Sequence, residues 1–173
     1  MDGTFDNLVD EALEDAQSSG AAQSQVALLT EAQERGEMPV ESARAAVEAT
    51  VECFNIAGLN GEVVESTGRD GVVIPGYSVS VVGSWGPEHD AAANDCELLH
   101  SAWVDKVYQL QPSVQVAREQ YVESIADELR ACLEDAGYET EPDATGIELS
   151  AQAGDVASAT RGEVDCLRTT GAL

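Results

Sequence analysis

The sequence predicts an α+β protein: a helical hairpin, then helices packed on a small antiparallel sheet, with disulfides as covalent links. Three observations lead to this class. Apolar residues recur at steps of three and four over most of the 173 residues, as in amphipathic helices. Between residues 61 and 82 they alternate instead, as in half-buried strands. Four cysteines stand far apart in the chain, which favours disulfides over a metal site.

The first two helices are expected to form an αα-hairpin. Residues 4–18 carry apolar side chains on one face and Asp and Glu on the other. The Ser-Ser-Gly run at 18–20 ends this helix. A second helix is expected over about 22–34, after which Gly36 can adopt the left-handed conformation of a helix cap.

A third helix is expected to begin near Pro39, because the first helical turn tolerates proline, and to end at Gly58. A β-hairpin follows, with one strand on each side of residues 69–71. The Asp-Gly pair within them favours a hairpin turn. Pro75 interrupts the second strand, so we expect a bulge or an edge position there.

Four segments are expected after the sheet. Apolar periodicity predicts one long helix over about 88–110 and another over about 113–136. Residues 139–154 are polar and contain proline and glycine, which indicates a loop with a short strand or turn. A last short helix is expected over about 155–168.

The cysteines are Cys53, Cys96, Cys132 and Cys166, and no two of them form the Cys-x-x-Cys motif of zinc ribbons and redox sites. The order helix, cysteine, turn, extended segment, helix, cysteine occurs twice. The simplest pairing therefore joins Cys53 to Cys96 and Cys132 to Cys166, although the spacing alone leaves all three connectivities open.

The same order predicts three segments. An N-terminal helical hairpin occupies residues 1–36. A helix, hairpin and helix with the first cysteine pair occupy residues 37–111, and a second helical unit with the other pair occupies residues 112–173.

The charge of the chain excludes several functions. With 33 Asp and Glu against 8 Lys and Arg, the formal net charge is -25. Nucleic-acid binding and docking on anionic lipid both need clustered cations, so neither is expected. No apolar run is long enough for a transmembrane segment. A cationic protein or a small ligand fits the negative surface better.

Two compartments are compatible with this composition. Disulfides favour an exported protein, secreted or in the cell envelope, whose signal segment has been removed. Acidity alone would also suit the cytoplasm of an extreme halophile.

One stretch of the sequence is similar to a known group of proteins. The helix end Ala57-Gly58-Leu59 after Cys53, together with Trp103, resembles segments of uncharacterised exported proteins and lipoproteins of high-GC actinobacteria. The similarity covers about residues 36–138. It implies a location in the cell envelope and no particular activity.

No catalytic residue, metal-ligand set or cofactor motif is predicted. His100 follows Cys96 by one helical turn, as zinc ligands do, but a polar residue beside an apolar face is the simpler interpretation. Glu88, His89, Asp90 and Asp95 cluster at a helix start and could supply oxygen ligands for Ca²⁺ or Mg²⁺, but helix capping and solvation are the simpler interpretation. Ser101 stands next to a histidine without the Gly-x-Ser-x-Gly motif of a nucleophile.

Two aromatic residues are candidates for binding. Tyr77 and Trp85 lie beside Pro-Gly and Gly-Pro turns, where an aromatic side chain is often available to a partner, although either could simply cover the sheet. The expected function is a non-enzymatic secreted or cell-envelope binding protein. The alternative is an enzyme that uses carboxylates. The oligomeric state is left open.

Overall fold

Helices and one two-stranded sheet make up residues 3 to 172, the part of the chain that the computed structural model describes. In chain order the elements are α1 Gly3–Ser19, α2 Gln23–Arg35, α3 Val40–Ile56, β1 Asn60–Thr67, β2 Val73–Ser80, α4 Pro87–His100, α5 Ala102–Leu110, α6 Pro112–Ser124, α7 Ala126–Asp135, α8 Gly146–Ala159 and α9 Cys166–Thr170. The predicted class is confirmed: the protein is mostly helical, with a small antiparallel sheet and both predicted disulfides.

The chain divides into two units. Unit 1 consists of the residues up to Ser66 together with Val73–Val114, and unit 2 of Thr67–Val72 together with the residues from Gln115 onward. The division into three segments at 1–36, 37–111 and 112–173 stays a prediction.

The helical hairpin supplies the larger core of unit 1. Phe5, Val9, Ala12 and Ala16 form a buried stripe on α1, as the sequence predicts. Leu29 of α2 is buried in the same cluster. Alanines in the stripe let the two helix backbones approach closely, since they add little side-chain bulk between them. The hairpin is thus held by an apolar seam, with its acidic residues left in water.

A second apolar cluster of unit 1 surrounds the disulfide between Cys53 of α3 and Cys96 of α4. Val51 and Phe54 of α3 are buried there, and Tyr77 of β2 packs against the cluster. The disulfide links elements that are 43 residues apart in sequence. It therefore fastens the helix that precedes the hairpin to the helix that follows it.

The hairpin has a regular register. Each strand has eight residues, and the Gly68 N–H donates to the Val72 carbonyl at 2.9 Å at the end of the turn. Counting back from this pair places Val64 opposite Gly76. A Cβ added to Gly76 would lie 3.9 Å from Val64, which agrees with that pairing. The strands thus pair without an inserted residue, and Pro75 occupies an edge strand, one of the two positions that the sequence predicts.

The predicted helix over 88–110 is two helices, α4 and α5, separated at Ser101, whose φ and ψ are -136° and -24°. The buried Gln25 of α2 explains this break. Its Nε2 donates to the Leu98 carbonyl at 3.0 Å, and its Oε1 accepts from the Trp103 N–H at 2.8 Å. One side chain therefore satisfies backbone groups on both sides of the break.

Unit 2 differs more from the sequence prediction. The helix expected over 113–136 is broken at Ile125, where φ is -111°. The loop expected over 139–154 contains the start of α8, and the helix expected over 155–168 is wrong, because α8 ends at Ala159 and α9 begins only at Cys166. A Thr145 side chain that accepts from the Glu148 N–H explains why α8 starts early.

The core of unit 2 is built by α7, α8 and α9. Leu129 and Leu133 of α7 are fully buried with Leu149 of α8. The disulfide Cys132–Cys166 joins α7 to α9 beside this core. Each unit therefore carries one of the two predicted disulfides.

Candidate functional site

An acidic cleft in unit 1 is the site with the clearest chemistry. It has a volume of about 360 Å³ and lies where β2 faces α3, α4 and α5. This volume falls within the range that small-molecule pockets usually have. The lining residues are Val47, Ile74, Pro75, Gly76, Tyr77, Glu97, Ser101, Ala102, Asp105 and Gln109. Aliphatic side chains thus share the cleft with two carboxylates and a phenol.

The β2 strand positions Tyr77. Its ring packs edge-to-face on Phe54, with ring centroids 4.8 Å apart, and its hydroxyl donates to the Glu97 carboxylate. Burial raises the pKa of Tyr77 above the usual value, and the hydrogen bond to Glu97 raises the pKa further. The phenol therefore stays protonated near neutral pH and holds Glu97 by donating to it.

The second carboxylate comes from α5. Asp105 lies one helical turn before Gln109, whose Nε2 donates to both carboxylate oxygens at 2.9 Å. The negative charge of Asp105 also raises the pKa of Tyr77, because it disfavours a second negative charge on the phenol. A carboxylate offers about four acceptor positions, so Glu97 and Asp105 both keep capacity for a further donor.

The walls of the cleft are structural. Ser101 is 5% exposed, and its Oγ lies 2.7 Å from the Thr50 hydroxyl. This hydrogen bond ties Ser101 to α3, so its hydroxyl forms part of the wall of the cleft. Val47, Ile74 and Pro75 supply the apolar part.

Trp85 lies elsewhere in unit 1. Its indole N–H donates to the Asp90 carboxylate at 2.6 Å, and its ring centroid is 5.5 Å from that of His89. The side chain is 41% exposed and does not line the acidic cleft. The structure therefore does not bring Tyr77 and Trp85 into one site, and a binding role for either stays a prediction.

The zinc arrangement weighed for His100 has no support, because the Cys96 sulfur is taken up in the disulfide with Cys53. Within residues 3–172 no three His, Cys, Asp or Glu side chains are arranged to hold a metal ion. The Nδ1 atom of His100 is buried without a hydrogen-bond partner in that part of the chain. No helix among the described residues is both long and apolar enough to cross a bilayer.

Unit 2 has a wider acidic depression. Glu134, Tyr138, Glu139, Glu141 and Gln152 line a hollow of about 850 Å³. Its loop is held by the Arg130 guanidinium, which donates to the Glu141 carbonyl at 2.5 Å and to the Ala144 carbonyl at 3.0 Å. The sequence predicts only a loop here, although the density of acidic residues from 134 to 143 is a signal that could have singled it out.

Sequence reasoning predicted Tyr77 as a binding residue but not its neighbours Glu97, Asp105 and Gln109. No spacing in the sequence distinguishes the two carboxylates of the cleft among 33 acidic residues. The helix break at Ser101, which separates Glu97 from Asp105, occurs without a glycine or proline that would predict it. Comparison of the chain with protein-family models, with curated proteins and with solved structures gives no match in any of the three.

Proposed function

We propose that the protein is a non-enzymatic binding protein of the extracytoplasmic space, and that the acidic cleft holds the positively charged group of a small ligand. The observation that carries the proposal is the pairing of Glu97 and Asp105 with an aliphatic wall in one cavity. A primary ammonium on an alkyl stem matches this lining, because its N–H groups would donate to the carboxylates while its carbons contact the wall.

The charge of the whole chain supports a cationic ligand. A net charge of -25 creates a negative field that raises the local concentration of cations and their encounter rate. The disulfides support the compartment, because structural disulfides persist in oxidising environments and are rare in a reducing cytosol. The cytoplasm of a halophile would account for the acidity and leave the disulfides without an explanation.

A titration with 1,5-diaminopentane, followed by amide chemical shifts, tests the proposal. We expect shifts to concentrate on residues around Tyr77 and Glu97, and 1,5-pentanediol, which is uncharged, to produce none. The Asp105→Asn variant keeps the shape of the side chain and removes its charge. It should weaken binding by about tenfold, which is the loss expected for one charge-assisted hydrogen bond.

The matched control is Asp95→Asn, which removes the same charge from an exposed position of α4 outside the lining of the cleft. It should bind like the parent protein. Equal weakening by both variants would mean that the overall field attracts the diamine, and the proposal would then be wrong. Equal binding of the diol would contradict it as well.

A further inference from the structure

The two outer edges of the hairpin differ in how their backbone groups are used. At the turn the Gly68 N–H donates to the Val72 carbonyl, and continuing this register places the backbone groups of the even-numbered residues of β1 toward β2. Backbone groups of the odd-numbered residues therefore point away from the partner strand. On β1 these residues include Gly61, Val63 and Glu65.

The outer edge of β2 is closed to further pairing at its beginning, from Val73 to Pro75. Pro75 is an odd-numbered residue and has no N–H to offer. The Val73 carbonyl, also outward, accepts a hydrogen bond from the Tyr108 hydroxyl at 2.5 Å. An additional strand on this side would meet a missing donor and an acceptor that is already bonded.

The outer edge of β1 is closed at its beginning only. There the Asn55 side chain imitates a neighbouring strand: its Oδ1 accepts from the Gly61 N–H at 3.0 Å, and its Nδ2 donates to the Gly61 carbonyl at 3.4 Å. Beyond Gly61, no partner from residues 3–172 is seen for the outward backbone groups of Val63 and Glu65. Val63 is 42% exposed and Val64 is 45% exposed, so the edge is open to solvent.

Proteins usually protect such an edge with lysine, proline or a bulge, and β1 contains none of these. Its charges are instead Glu62 and Glu65. The cation near this edge is Arg44. Its Nη2 lies 2.6 Å from the Glu65 Oε2, and the negative charge of Glu41 also stabilises the charged guanidinium. A second copy of a chain with a charge of -25 would be repelled from this edge, whereas a positively charged segment would be attracted.

We propose that the β1 edge from Val63 to Glu65 binds an extended, positively charged segment of another protein, which adds to the hairpin as a third strand. Backbone hydrogen bonds to Val63 and Glu65 supply the register. Glu62 selects lysine or arginine in the segment, whereas Glu65 is engaged by Arg44. The site is separate from the acidic cleft, so this inference does not depend on the proposed function.

The probe is a synthetic peptide of about ten residues that alternates lysine and threonine, added at about 0.15 M salt so that distant charges are screened. Amide hydrogen exchange gives the readout. In the free protein, Val64 and Ser66 should be protected, while Val63 and Glu65 exchange rapidly. With the peptide bound, protection should appear at Val63 and Glu65 and leave the cleft residues unchanged.

Two controls separate strand addition from attraction by charge. A peptide of the same sequence with N-methyl groups on alternate residues, along the edge that would face β1, keeps its charge and loses the backbone donors on that edge. Its binding should be at least about tenfold weaker, because more than one hydrogen bond is lost. A peptide with glutamate in place of lysine should not bind.

The variant Val63→Pro removes the outward N–H and leaves the bonds between β1 and β2 in place. It should weaken binding of the lysine peptide, whereas Val63→Thr, which keeps the N–H, should not. If the lysine peptide does not bind, or if the N-methylated peptide binds equally well, the proposal is overturned. Both outcomes are measured on the parent protein, so they do not depend on whether a variant folds. Protection of Val63 and Glu65 before peptide is added would show that a second copy occupies the edge, and would overturn it too.

Discussion

Buried polar side chains are the residues that the sequence could not predict. Gln111 is 3% exposed, and its amide makes both hydrogen bonds to the backbone of Met38, at 2.9 and 3.0 Å. Gln25 does the same for the ends of two helices. In a sequence, a glutamine is assigned to the surface because its amide must otherwise find partners that only the tertiary fold provides. Phe54 and Leu129 could be predicted as buried, because apolar periodicity alone places them on inward faces.

The candidate site follows the same rule. Tyr77 stood out in the sequence because it is an aromatic residue beside a Pro-Gly turn, but its partner Glu97 is one carboxylate among many. What selects Glu97 is its position beside Tyr77, which depends on the packing of both α4 and β2 against α3. Such a pairing is a property of tertiary structure and has no counterpart in local sequence.

Tyr77 gives a prediction about alkaline pH. Its pKa is raised in the folded state by burial and by Glu97, so the folded protein keeps a proton that the unfolded chain releases. The resulting stabilisation is complete below the unfolded pKa of about 10 and is lost as the pH rises above it. We expect the free energy of unfolding of the parent to fall more steeply above pH 10 than that of Tyr77→Phe, in urea titrations at a series of pH values.

The Tyr138→Phe variant makes the same chemical change in unit 2, outside the acidic cleft, and controls for the general loss of a phenol. Parallel curves for the parent and Tyr77→Phe above pH 10 would show that the Tyr77 hydroxyl is not held in the cleft as described.

At the scale of elements, helix starts were predicted better than helix interruptions. Breaks at Ser101 and Ile125 occur without glycine or proline, so the apolar stripe runs across them and predicts one long helix. The start of α8 is different, because the pattern Thr145, two residues, Glu148 is a capping box and was readable. The sequence prediction of a loop rested instead on the polar composition and on Pro142 and Gly146. Gly146 fits because a Cβ there would lie 2.3 Å from the Val122 carbonyl.

The cap of α8 can be tested by Thr145→Ala. Loss of the hydroxyl leaves the Glu148 N–H without its acceptor, and we expect a loss of about 1 kcal/mol of unfolding free energy in urea denaturation. Two further bonds run in the opposite direction: the Thr145 backbone N–H and the Thr145 hydroxyl donate to the Glu148 carboxylate and lower its pKa, the backbone N–H more strongly. The stabilisation is therefore present above pH 5 and declines as the pH falls through the acidic range.

A matched control is Ser150→Ala, which removes a hydroxyl from the interior of the same helix. It should change the unfolding free energy by less than about 0.5 kcal/mol. If the two variants lose the same amount, Thr145 is not the residue that begins α8.

At the scale of the molecule, covalent links and charge shape the two units. The pairing of cysteines that the repeated order predicts is confirmed. The first disulfide spans the β-hairpin, whereas the second spans α8, so the expected non-helical stretch is present only in the first unit. Three of the cations, Arg35, Arg44 and Lys106, form ion pairs with carboxylates on the surface. These pairs offset little of a charge of -25, so the field outside the protein stays strongly negative.

The disulfides should stabilise the protein to nearly the same extent. Their sequence separations are 43 and 34 residues, and each loop of this size restricts the unfolded chain by about 4 kcal/mol. The logarithmic dependence on loop length makes the expected difference smaller than about 0.3 kcal/mol. Calorimetry on the double variants Cys53→Ser with Cys96→Ser, and Cys132→Ser with Cys166→Ser, measures both values. A large loss in only one of them would show that native packing, and not chain entropy, sets their contribution.

All four cysteines form disulfides, and each disulfide lies within one unit. The oxidised protein presents no thiol to alkylating reagents, to glutathione or to another molecule of itself. A cysteine introduced at an exposed position would accordingly be the single attachment point for a fluorophore or a spin label. Spectroscopic reporters can thus be placed on either surface discussed above without removing a native sulfur.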